Sequence, residues 1–93
     1  MITQYFDILP NRNSLRRHLF VTTNKMSSEN DLHFLVAPKG KTVFNLDECD
    51  KIVFSQPENL SSDVMSFILT NWQNFMDLWN EAIDVNEFSD RIR

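Results

Sequence analysis

The chain has 93 residues, room for one domain and one hydrophobic core but not for two. Its 42% hydrophobic content and eight phenylalanines exclude a disordered chain, which would lack that aromatic load. The net charge of −4 is unevenly spread: Glu58 to Asp90 holds seven acids and no Lys or Arg, a balance that argues against general nucleic-acid binding.

The single glycine, Gly40, excludes a glycine-rich phosphate loop, which needs several positions of positive φ close together. No run of about 18 apolar residues is present, so no transmembrane helix and no membrane partner are expected. The opening "MITQYFDILPNRN" has neither the basic start nor the long apolar stretch of a secretory leader. Cys49 has no second cysteine to pair with, which points to a reducing, cytoplasmic setting.

In chain order, Ile2–Leu9 is rich in β-branched and aromatic residues and reads as a first strand that stops at Pro10. "PNRNSLRR" reads as a turn, or as one short helical turn capped by Ser14, His18–Thr23 as a second strand and Asn24–Asp31 as a polar connection. Leu32–Ala37 is continuously apolar, as a central strand would be, and "PKGK" turns the chain into a return strand at Thr42–Leu46. "DECD" is a polar break before a short last strand, Lys51–Phe54, which Pro57 ends.

Beyond Pro57 the period changes. Ser61 or Ser62 offers an N-cap, with Asp63 in the first turn, where the helix dipole favours negative charge. Val64, Met65, Ile68, Leu69, Trp72, Phe75, Met76, Trp79, Ala82 and Ile83 recur at steps of three and four. That spacing predicts one helix of roughly 20 residues, with neither proline nor glycine to interrupt it. Residues 85–93 extend this helix, dock as a tail or stay loose. The expected fold is a single α+β domain: an antiparallel sheet of four to five strands, covered on one face by one long C-terminal helix.

Taken together, "HFLVAPKGKTVFNL" and "ILTNWQNFMDLWNEA", within residues 32–84, resemble a small bacterial domain family of unknown function. That family has a His-Phe-His-Val strand, a following hairpin strand, and a C-terminal helix with an Asn and a late Trp. The matching positions are His33, Phe34, Leu35, Val36, Asn74 and Trp79. Leu35 departs from the pattern, standing where the family has its second histidine, and speaks against family-level catalysis. Members are often encoded like toxin–antitoxin partners, so the resemblance implies an interaction module.

Catalytic chemistry finds little support in the residues. His18, His33 and Cys49 lie fifteen and sixteen residues apart, which fits no zinc motif. A Cys49–His33 nucleophile pair oriented by Asp47 or Asp50 is conceivable, but "LDECD" is an ordinary polar turn and lacks calcium-loop spacing. Asp7 is explained by a solvent-facing strand position. No enzyme activity, cofactor or metal is expected.

The first expectation is therefore a protein-binding module from a bacterium or phage, an inhibitor or antitoxin-like partner. Its contact would use Phe67, Trp72 and Trp79 as aromatic anchors, with Asp77, Glu81, Asp84 and Glu87 meeting a basic patch on another protein. These acids have no Lys or Arg interspersed among them. The aromatic surplus also suggests a homodimer, through the helix flank or a sheet edge. The second expectation is nucleic-acid contact through Arg12, Arg16, Arg17, Lys39 and Lys41, whose guanidinium and ammonium groups suit phosphate oxygens.

Overall fold

The computed structural model describes residues 5–23, 31–40 and 45–93. Four strands form an antiparallel meander in the order β1 (Phe6–Ile8), β2 (Leu19–Thr22), β3 (His33–Val36) and β4 (Asp50–Val53). Three helices follow: α1 (Ser62–Thr70), α2 (Trp72–Trp79) and α3 (Val85–Arg91). The α+β expectation holds, with four strands among the described residues. Of the return strand expected at Thr42–Leu46, residues 42–44 lie outside the described residues, and Leu46 opens a short 3-10 turn instead. On the side away from β2, β3 pairs with β4, in the register Phe34↔Ile52.

The sheet alternates as the pleat demands. Phe6 lies opposite Val21, Ile8 opposite Leu19, Val21 opposite Phe34 and Phe34 opposite Ile52, so one face is continuously apolar. The helices cover that face. Phe75 of α2 is fully buried there, its ring 5.1 Å from Phe34, 5.3 Å from Phe54, 6.0 Å from Phe67 and 5.0 Å from Phe88. The opposite face is more polar but not bare. His33 is buried, Tyr5 packs edge-on against it at 5.5 Å, and His18 stacks on Phe20.

The single long helix is not observed. The chain bends at Asn71, whose backbone (φ −106°, ψ 19°) ends α1 and begins α2. The Asn71 side chain is buried and competes with the helical ladder, the usual reason that Asn disfavours helix interiors. It donates to the Phe67 carbonyl at 3.0 Å and to the Arg93 carbonyl at 3.2 Å, and accepts from the Arg93 N–H at 2.9 Å. A second stop follows Trp79. Glu81 adopts φ 63°, its N–H donates to the Leu78 carbonyl, and the Ala82 N–H donates to the Asp77 carbonyl at 2.8 Å. This is a Schellman closure with glutamate at the left-handed position that glycine usually fills.

Residues 85–91 then form their own docked helix. Asp84 accepts from the Glu87 N–H at 2.8 Å as N-cap, and Phe88 is fully buried against Phe75. Phe75→Ala is expected to remove the shared centre of these ring contacts. Its unfolding free energy, measured by urea denaturation, should fall by about 3–5 kcal/mol.

Candidate functional site

The helix breaks decide what becomes of the aromatic surplus. Phe67 is no surface anchor: α1 turns it inward, where it is 2% exposed and meets Phe75 edge-on. Trp72, the first residue of α2, stays 44% exposed. Trp79, one helix length later, is half-buried against the core. Between them lies Phe54, buried at the end of β4, its ring 4.7 Å from Trp72 and 5.5 Å from Trp79.

These three rings, with Met76, Pro57, Ser55 and Asn80, line an open groove of about 250 Å³. Among the described residues, none that lines it is charged. Two carboxylates adjoin it in the chain, Glu58 after Pro57 and Glu81 after Asn80, and both side chains are exposed. The groove therefore offers a wall of tilted aromatic rings of low polarity. Such a surface accepts an apolar or aromatic side chain, or the stem of a cationic one.

The other acids assigned to the interface do not form one helix face. Asp77 lies on α2, Glu81 in the Schellman turn, Asp84 at the cap of α3 and Glu87 on α3. Nor do they lack cations. Arg91 bonds Glu87 at 2.9 Å and approaches Asp77 at 3.7 Å. Asp77 also accepts from Gln73 at 3.0 Å.

Folding brings the basic N-terminal loop onto this half of the molecule as well. Arg12 bonds Asp90 at 2.8 Å, and Arg17, nine-tenths buried, bonds Asp63. The expected basic cluster is thus divided. Arg12 and Arg17 are neutralised by carboxylates, Arg16 and Lys39 are exposed, and Lys41 lies outside the described residues.

The residues considered for catalysis are held elsewhere. His33 Nδ1 lies 3.3 Å from the Asp31 carbonyl oxygen, which can only accept, so this nitrogen carries the proton. Nε2 lies within hydrogen-bond distance of the Tyr5 hydroxyl, at 2.9 Å. Burial, followed by the charges of Asp50 and Glu48, pushes the Cys49 thiol above its ordinary value, the opposite of an activated nucleophile. His18 Nδ1 faces both Asp7 oxygens, at 2.9 and 3.0 Å. Among the described residues no three His, Cys, Asp or Glu side chains converge as metal ligands would, and no helix is long and apolar enough to cross a membrane.

With the groove and the charge pairs defined, comparison with known proteins finds no matching family, no matching curated protein and no matching solved structure.

Sequence reasoning identified Trp72 and Trp79 but missed Phe54 and Pro57, which complete the groove from the end of the sheet. The available signal was "KIVFSQP": Phe54 follows the inward-facing Ile52 by two, so the strand's alternation aims it at the helices.

Two outcomes follow. In single-tryptophan variants, Trp72 emission is expected to be quenched by acrylamide more steeply than Trp79 emission. At Asp63, the Ser61 hydroxyl (2.6 Å), and beyond it the Arg17 guanidinium, hold the carboxyl below its usual value of 3.8. A depressed carboxyl contributes stability above the unfolded value and loses it as pH falls through the folded one. Asp63→Asn is therefore expected to be less stable than the parent above pH 3.8, the two melting curves converging in stronger acid.

Proposed function

We propose that the protein is an interaction module that binds another protein through the Trp72–Phe54–Trp79 groove. The observation that carries this reading is the 44% exposure of Trp72 over an uncharged aromatic groove. An exposed tryptophan backed by further rings on a small domain is the kind of surface from which binding hot spots are made. The favoured occupant is an apolar or aromatic side chain flanked by basic residues, because Glu58 follows the lining residue Pro57 in the chain and no cation lines the groove among the described residues. An inhibitor that covers a basic surface of its target is the form of this reading that this carboxylate favours.

Self-association through the sheet is less favoured as the main role. The edge strand β1 is three residues long and carries Asp7, and the edge strand β4 carries exposed Asp50 and Lys51, features that discourage edge pairing. A nucleic-acid stripe is weakened by the carboxylates on Arg12 and Arg17.

Trp72→Asp tests the reading. Aspartate suits the first turn of α2, so the variant should fold, losing about 1–2 kcal/mol with the Phe54 contact. In paired capture from a lysate of the source cells, a stoichiometric partner is expected on the parent protein and not on the folded variant. Equal retention by both proteins would refute the groove as the binding site. A parent dimer that Trp72→Asp dissociates, seen by light scattering, would give the groove to a second copy instead.

A further inference from the structure

A second concavity, apart from the aromatic groove, collects cations from two distant stretches of chain. Pro10, Arg16, Arg17, His18, Ala37, Pro38 and Gly40 enclose about 360 Å³. Lys39 stands between two of these lining residues.

The segments that build it are held in place from within. The buried Asn13 amide donates to the Leu9 and Arg17 carbonyls, each at 3.0 Å, and the Arg16 N–H donates to the Asn13 carbonyl at 3.2 Å. The Ala37 N–H donates to the His18 carbonyl at 3.0 Å, fixing the 37–40 turn beside the 16–18 loop. Arg16 is held at φ 54°, a conformation that L side chains seldom adopt.

The charge in this concavity is not balanced. Arg17 is nine-tenths buried, with one nitrogen on Asp63 and with Nε lacking any hydrogen-bond partner among the described residues. Lys39 acts on the same Asp63 carboxylate. Arg17 and Lys39 thus share one carboxylate, and Arg16, exposed on the pocket wall, adds a further cation. Asp7 holds His18 at the pocket wall. Two guanidinium groups on the wall of a hollow, with Lys39 in the turn between its lining residues Pro38 and Gly40, are suited to an oxyanion.

We propose that this pocket binds the phosphate group of a small phosphorylated molecule, with Arg16 and Lys39 as its principal cations and Arg17 fixed behind them. The pocket's form favours a small ligand over a nucleic-acid backbone. It is a hollow with apolar walls at Pro10, Ala37 and Pro38, and the nearest basic residue along the loop, Arg12, is occupied by Asp90. A polynucleotide needs cations repeated along a track, whereas a single phosphate group needs them converging.

The test is a titration with inorganic phosphate and, separately, ribose 5-phosphate, followed by amide chemical shifts at constant ionic strength set with chloride. Saturable shifts are expected at Arg16, Arg17, Ala37 and Gly40. Binding should weaken by about tenfold or more in Arg16→Gly combined with Lys39→Gln. Glycine suits the positive φ of position 16, so an unchanged melting temperature is expected and lost binding will not reflect unfolding. Shifts that fail to saturate, or that chloride alone reproduces, would overturn the proposal. So would a single-stranded oligonucleotide that moves these amides, with steep salt dependence, when neither phosphate compound does.

Discussion

One buried amide sets the geometry of the C-terminal half. Asn71 interrupts what would otherwise be a continuous helix, and its side chain ties both polar groups of the Arg93 backbone to the break. Asn74 adds a longer contact to the Arg91 carbonyl, and Ser14 donates to the Arg93 carbonyl at 2.8 Å. The bend gives α2 a direction of its own, so that Phe75 enters the core while Trp72 remains at the surface beside Phe54. An unbroken helix through residues 62–83 would place Phe67, Trp72 and Phe75 differently relative to the sheet. The groove is thus a consequence of the break, and the break is maintained by a polar group whose hydrogen bonds would be costly to lose in a buried site.

Charge follows a similar logic over longer distances. The acidic C-terminal half and the basic N-terminal loop are separate in sequence, yet Arg12 reaches Asp90 and Arg17 reaches Asp63. The first of these pairs is exposed and contributes little to stability. The second is more consequential, because Arg17 is largely withdrawn from water and could not be left there unpaired. These pairs leave the acidic surface less extensive than the sequence suggests, and they leave Arg16 and Lys39 as the exposed cations of the loop region.

Much of the sheet was legible from sequence because it depends on a local period. The strand stretches at Ile2–Leu9, His18–Thr23 and Leu32–Ala37 each contain an observed strand, and Lys51–Phe54 overlaps β4, which starts one residue earlier at Asp50. The helical breaks were less legible for two different reasons. Asn71 bonds the local Phe67 carbonyl, but its side chain is also satisfied by Arg93, twenty-two residues away, and no local pattern encodes that contact. Glu81 takes the left-handed position with a side chain that carries no such signal, since glycine is the residue that marks it. By contrast, the start of α3 was written in "DVNE", an Asp followed three residues later by Glu, which is close to the capping-box pattern. The aromatic groove was half visible: the helical period flagged Trp72 and Trp79, but Phe54 belongs to it only through the packing of strand end against helix.

The two candidate surfaces rest on different foundations, which bears on how each can change. The groove is drawn from the end of β4 and from α2, and its shape follows from the core contact of Phe54 and Phe75. The cationic pocket is drawn from the loop before β2 and the turn after β3, and its shape follows from Asn13 and the Ala37–His18 backbone bond. They share no lining residue among the described residues. Substitutions confined to exposed members of each, such as Trp72 and Arg16, should therefore act independently, as well-separated sites without common partners usually do. Core substitutions such as those at Phe75 behave differently: in a domain of 93 residues the stability margin is thin, and losing a central ring weakens the support for both surfaces at once. A single chain of this size can carry two chemically distinct surfaces because each is anchored by its own small set of buried polar or aromatic contacts.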